Sequence, residues 1–256
     1  MWLPSKEAAR RVGARGWLSA CEWTHSGGSV AAMTIRLHYF DAGNAFGDRL
    51  AEIRDALGEA KAHVEERSAL REVDVVVQPL DLGHDQFPIS AFTAGPHNVH
   101  IGIERSQIDS DQLEPDLFRT AVHELHHALR WRHSGPSWSV CEVIVLEGLA
   151  ILADHAAAGP DGQTDRPLDD PGAALARLQE IRQEPVEGHR RWLYSPEDSQ
   201  PGGPERVYSL GSMVMRAALG SLDLDPWQAG ERSAEDLVAE GLSALNAQAP
   251  SRARAS

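Results

Sequence analysis

Ala121-Val122-His123-Glu124-Leu125-His126-His127-Ala128-Leu129 is the stretch on which the reading of this 256-residue chain turns. It contains His123-Glu124-x-x-His127. On an α-helix, residues i and i+4 lie about 40° apart, so both histidines project from one face, one turn apart. That spacing lets two imidazoles reach one tetrahedral zinc at roughly 2.0–2.1 Å. Glu124 sits about 100° round from His123, where it can flank a metal and accept a proton from water without ligating. Leu117, Phe118, Ala121, Val122, Leu125, Ala128 and Leu129 share the opposite arc, which is expected to face the core. His126 and Arg130 fall on the far polar side of His123. The wheel therefore places His126 at the rim or surface, outside the ligand set.

A catalytic zinc usually takes three protein ligands and keeps one open position. The next acids, Glu142, Glu147 and Asp154, all lie on a second predicted helix that is apolar nearly all round. Glu147 and Asp154 are two turns apart and share a face, with Glu142 on the other. A carboxylate on an apolar helix is costly to bury unless it is paired or metal-bound. Glu147 is therefore the expected third ligand. Gly148, directly after it, removes a side chain where another backbone can approach. Asp154 is a candidate acceptor for the second ring N–H of a ligand histidine. The plainer reading, that these acids pair with arginines, stands beside that one. Glu142 is expected to pair elsewhere or to cap.

Working outward, Glu114-Pro115-Asp116 opens the central helix, with acids where its dipole favours them, and Ser134-Gly135-Pro136 stops it. Upstream, alternation predicts strands at about 34–40, 73–77, 89–93 and 98–103, with a helix over 45–66 and a loop at 81–88. One link holds a crossover-length helix and the others are short, so a mixed sheet is expected. Downstream the pattern is helical: about 138–157, 172–184, 205–219 and 234–246, the last opened by Ser233-x-x-Asp236. Loops are expected at 159–170 and 195–204.

The fold class is thus α+β: a small mixed-sheet subdomain over 33–110, then a mainly helical subdomain over 111–246 that carries the His-Glu-x-x-His helix. A flexible tail is expected over 247–256. Residues 1–32 show no sustained period and are read as a disordered or misassigned extension, with translation starting at Met33. Intact mass from the native host tests this, since a species starting at Met1 contradicts it.

The formal net charge of −14 argues against a nucleic-acid partner, which needs clustered Lys and Arg. Two cysteines, Cys21 and Cys141, make a disulfide scaffold an unsuitable reading and fit a reducing compartment. Cys141 reads as a small buried residue, not a nucleophile. The first residues lack an apolar core of signal-peptide length, and no apolar run spans a bilayer. The expectation is a cytoplasmic protein with no membrane partner.

His123-Glu124-Leu125-His126-His127-Ala128-Leu129-Arg130, followed about twenty residues later by Glu147-Gly148-Leu149-Ala150, resembles the glutamate-type zincins (gluzincins). The likeness is closest to a bacterial family of predicted zinc-dependent proteases. Trp192-Leu193-Tyr194 and Tyr208-Ser209-Leu210-Gly211 are similar to that family's Trp-x-aromatic and Tyr-x-x-Gly elements. The resemblance implies a zincin-like fold whose edge strand, placed here at 98–103, lies above the metal helix and pairs with an extended peptide. One departure is Ile151, which stands where the thermolysin-like branch has an Asp four residues after the ligand Glu.

The chemistry expected is zinc-dependent hydrolysis of peptide bonds in a peptide or protein substrate, with Glu124 as general base. Tyr208, through its family-like motif, is the preferred donor to the tetrahedral oxyanion, ahead of His189 and Tyr194; plain packing of Tyr208 is the other reading. His97 and His100 are either cleft-lining or ordinary surface residues. The alternative function is a catalytically silent zincin fold that binds metal or peptide as a regulatory module.

Overall fold

β-Branched residues at alternate positions give the first half of the chain one buried face. In the computed structural model, which describes residues 35–81, 89–135, 138–160, 167–194 and 206–248, they form four strands. These are β1 (Ile35–Tyr39), β2 (Val73–Leu80), β3 (Ile89–Gly95) and β4 (Asn98–Glu104), in the spatial order β1-β2-β4-β3. Helix α1 (Leu50–Arg67) crosses between β1 and β2, which pair in parallel. β3 and β4 form an antiparallel hairpin, and β4 also pairs in parallel with β2. The sheet is mixed, as the link lengths require. The expected extension over 1–32, the loops at 82–88 and 195–204 and the tail beyond Gln248 lie outside the described residues.

The sheet corrects one expectation. The strand at 98–103 is not an edge: β4 is central, hydrogen-bonded on both sides, and the edge beside the His-Glu-x-x-His helix is β3. Val99, Ile101 and Ile103 are fully buried in β4, which suits a strand with neighbours on both flanks. β3 is half-exposed along most of its length, as an edge strand can be.

One face of the sheet packs Val73, Val75, Val77, Val99, Ile101 and Ile103 against α1 and α2 (Leu113–Ser134). α2 ends where Gly135 takes a left-handed conformation, φ 66°, which costs glycine nothing. α3 (Val140–Ala158) follows, with the Ser139 hydroxyl accepting from the Glu142 N–H at 3.2 Å as its cap. Its near-uniform apolarity is matched by burial on several sides, against α2, α6 (Arg206–Leu222) and α8 (Ala234–Gln248). α4 (Pro171–Ile181) lies against the same helical core.

Gly148 has the role expected of it. A Cβ there would lie 2.4 Å from the Gly211 carbonyl oxygen, and one at Gly211 would lie 2.8 Å from the Ile144 oxygen. The glycines of the Glu-Gly-Leu-Ala and Tyr-x-x-Gly elements are thus the two sides of one close helix crossing. It seats the turn that carries Glu147. Two short helices, α5 (Arg190–Tyr194) and α7 (Pro226–Ala229), are additions to the sequence reading. Neither is long enough to display a helical period.

Candidate metal centre

α2 and α3 bring His123, His127 and Glu147 together, each offering one ligand atom within 4.8 Å of the others. His123 Nε2 and His127 Nε2 lie 3.5 Å and 3.4 Å from the same carboxylate oxygen, Glu147 Oε2. The two imidazoles meet edge to face, with centroids 4.5 Å apart. His127 and Glu147 are completely buried.

These separations fit a metal better than they fit hydrogen bonds. N–H···O bonds centre near 2.9–3.0 Å, so contacts of 3.4–3.5 Å are too long to satisfy the groups. Two ligand atoms about 2.0–2.1 Å from one tetrahedral ion lie about 3.3–3.4 Å apart. Neither Glu147 oxygen and neither His127 ring nitrogen has a hydrogen-bond partner. A buried carboxylate left in that condition costs several kcal/mol, and a cation among the three ligand atoms removes that cost. Two imidazoles and a carboxylate are also a donor set suited to zinc.

The surrounding charges agree. Burial alone would raise the Glu147 carboxyl, but His127 and His123 hold it below the ordinary carboxylate range. Burial opposes the charged form of His123, yet Asp154 and Glu147 override it and lift its pKa to about 10. Asp154 Oδ2 lies 3.4 Å from His123 Nδ1, which leaves Nε2 directed at Glu147. Asp154 therefore lies on the Nδ1 side of the His123 ring, at a distance long for a hydrogen bond. Arg119 is 3.7 Å from its other oxygen, so the arginine reading of this acid is met at the same time.

Glu124 is buried beside the cluster and outside the three-ligand group. Its Oε2 accepts from the Thr93 hydroxyl at 2.7 Å. Thr93 was not singled out in the sequence. Only its inward position on a half-polar strand distinguishes it, and that gives no sign of which helix residue it meets.

His126 requires correction. It is not a rim residue: it is fully buried, and its Nε2–H donates to the Pro226 carbonyl at 3.0 Å, beside Trp227. Burial pushes its pKa down to about 3, so the ring stays neutral. Arg130, also assigned to the polar side, is buried too. It donates to the Gly230 and Arg232 carbonyls and to Glu142 Oε2, the last at 2.8 Å. A segment 100 residues downstream covers this side of α2, and no helical wheel can show that. Glu142 does pair elsewhere, as expected.

The remaining candidates have partners or packing of their own. His189 is held by Glu184 at 2.8 Å. Tyr194 and Tyr208 are half-buried against the helical core. His100 stacks on Phe92 on the sheet face turned away from α2, and His97 bonds the Glu72 carbonyl at 2.8 Å. Cys141 is buried and its thiol is pushed up to about 11, mainly by that burial, which suits packing and not nucleophilic attack.

Residues 53–164 match the model of a family described as "Predicted Zn-dependent protease (DUF2268)". The matched span runs from within α1 to just past α3 and includes His123, Glu124, His127, Glu147 and Asp154. The elements at 192–194 and 208–211 lie beyond it. Comparison with curated proteins and with solved structures found no match.

Proposed function

We propose that this chain, whose residues 53–164 match a predicted Zn-dependent protease family, is a zinc metallopeptidase of the gluzincin type that acts on peptide or protein substrates. The observation that carries the reading is the convergence of His123, His127 and a fully buried Glu147 whose oxygens lack hydrogen-bond partners. In this reading those three residues hold Zn2+, and Asp154 fixes the ring of His123 through Nδ1.

Bound there, zinc supplies a Lewis acid for the scissile carbonyl and lowers the pKa of its water towards about 7. Glu124 takes the proton of the attacking water and delivers it to the leaving amine. The edge of β3 receives the substrate backbone by strand addition, because its outer flank has no strand partner among the described residues. Tyr208 is proposed as the oxyanion donor. It lies one turn before Gly211, whose backbone touches that of Gly148, next to Glu147. No helix among the described residues is long and apolar enough to cross a membrane. A cytoplasmic setting is proposed from the cysteine usage.

Metal content is the first test. The wild type should hold about one zinc per chain, and His123→Ala, His127→Ala and Glu147→Ala should lose it. Full retention in all three variants ends the metal-site claim. Glu124→Gln should keep zinc and lose about 10²–10⁴-fold in turnover. A peptide-library digest with and without chelator separates the enzyme from a silent binding module: chelator-sensitive cleavage supports the first, and a zinc-loaded wild type that cleaves nothing supports the second.

A further inference from the structure

We propose that Thr93 is the positioning residue for Glu124, holding the carboxylate in place from the edge strand. The inference rests on the reading of Glu124 as general base.

Three observations carry it. β3 turns Ile89, Ala91 and Thr93 toward the helices, and Thr93 is the one polar side chain of the three. A valine has nearly the same shape and suits an apolar interface better, so the hydroxyl needs a reason. That reason is local: Thr93 Oγ1 lies 2.7 Å from Glu124 Oε2 and 2.8 Å from the Glu124 carbonyl oxygen. Both oxygens belong to one residue, so the single hydroxyl hydrogen stays on Glu124 whichever of the two accepts it. A side chain held in this way has little rotamer freedom left to lose when the reaction needs it in place.

The strand is also shaped for the contact. Its pairing with β4 shifts register between Thr93 and Gly95, leaving Ala94 as the extra residue. A bulge bends and twists a strand locally and re-aims the side chains beside it. Thr93 is 5% exposed and Glu124 4%, so water does not compete freely for the carboxylate. The hydroxyl has one hydrogen and two lone pairs. It donates to the carboxylate, or turns its hydrogen to the main-chain carbonyl and accepts from a carboxylic acid, without moving a heavy atom. The same strand edge is the one available to a substrate backbone, so peptide binding and base positioning share one element.

The test uses the full chain loaded with zinc, carrying Thr93→Val or Thr93→Ser, and a quenched fluorescent peptide built on the sequence most cleaved in the library digest. Both variants should retain one zinc per chain. Thr93→Val should lose about 10–100-fold in kcat with KM within about twofold. Thr93→Ser, which keeps the hydroxyl, should recover to within about threefold of wild type. An unchanged kcat in Thr93→Val, or an equal loss in both variants, overturns the proposal.

A second readout needs no activity. Thr93→Val should lower the thermal midpoint by about 2–8 °C, because it strands a buried carboxylate. In a chain also carrying Glu124→Leu that drop should fall by more than half, and full additivity overturns the contact. A zinc-loaded wild type that hydrolyses nothing ends the peptidase reading instead, and the thermal cycle then judges the Thr93–Glu124 pairing alone.

Discussion

His126 and His127 are neighbours in the chain and both are fully buried, yet they belong to clusters built on opposite terms. On the His126 side of α2, polar groups meet partners. His126 bonds the Pro226 carbonyl, and Arg130 bonds two carbonyls and Glu142. On the His127 side, an imidazole and a carboxylate face each other across 3.4 Å without a proper hydrogen bond. In the first cluster each charged or imidazole group has at least one partner, although His126 Nδ1 and Arg130 Nε have none. The second leaves His127 and Glu147 without hydrogen-bond partners, the condition a cation would relieve. Burial of polar residues therefore does not by itself mark a site: the mark is a buried carboxylate and imidazole with no side-chain polar atom hydrogen-bonded, as at Glu147 and His127.

The two clusters should respond in opposite ways to losing a member. Arg130→Met breaks a pair already satisfied and leaves Glu142 beside unpaired carbonyls. It should cost about 3–5 kcal/mol of unfolding free energy, equally with and without zinc. Chemical denaturation in both conditions measures it, and a cost under about 1 kcal/mol would mean that the Arg130 contacts add little to stability.

Glu147→Leu should behave differently. Zinc at a thousandfold excess over its Kd should stabilise the wild type by about 4 kcal/mol, and that gain should vanish in the variant. Without metal the variant should lose no more than about 1–2 kcal/mol, because removing the carboxylate removes its burial cost but also takes a partner from His123. Thermal scans with zinc and with chelator show both effects. A large loss in chelator would mean that Glu147 is already well satisfied by the two histidines.

The helix crossing beneath Glu147 gives a smaller effect. Gly148→Ala drives a methyl group into the Gly211 carbonyl and should cost about 1–3 kcal/mol, together with some zinc affinity as Glu147 shifts. Gly58→Ala is its counterpart on α1. No atom lies within 4 Å of the added methyl there, so helix propensity should stabilise the protein by up to about 1 kcal/mol. If the two substitutions had the same sign, close approach would not be the reason for Gly148.

The smallest effect lies on the open face of the sheet. The hydrogen bond from Arg36, helped by His38, lowers the Asp74 carboxyl to about 2 from an ordinary 3.8. A depressed carboxyl contributes stability above its unfolded pKa and loses it as the pH falls through the folded one. The Asp74→Asn curve of thermal midpoint against pH should therefore be flatter than wild type between 3.8 and about 2. Coincident curves would show that this exposed pair is fully screened.

How far the sequence could be read follows from the range of the interactions involved. Helix periodicity is local, so His123, Glu124 and His127 could be placed on one face of α2 from spacing alone. An acid on an otherwise apolar helix is a local anomaly with a known cost, and it pointed to Glu147, with Asp154 two turns further on. Gly148 after Glu147 hinted at a close backbone before its partner, Gly211, was known. The mixed sheet followed from link lengths. These features depend on neighbours within about two turns or one connection.

Other features depended on contacts that no local pattern carries. Strand order is a choice among distant pairings, and it put β3, not β4, at the edge beside the His-Glu-x-x-His helix. A helical wheel separates apolar from polar arcs, but it cannot show that residues 226–232 cover the polar one, so His126 looked exposed and is not. Thr93 is one hydroxyl on a half-buried strand, and only the tertiary structure brings it to Glu124 across 31 residues of chain. The sequence by itself determined which chemistry the central helix can support, because ligand type and spacing are properties of one helix turn. The tertiary structure alone decided which buried groups are satisfied, because the partners that satisfy them come from the far ends of the chain.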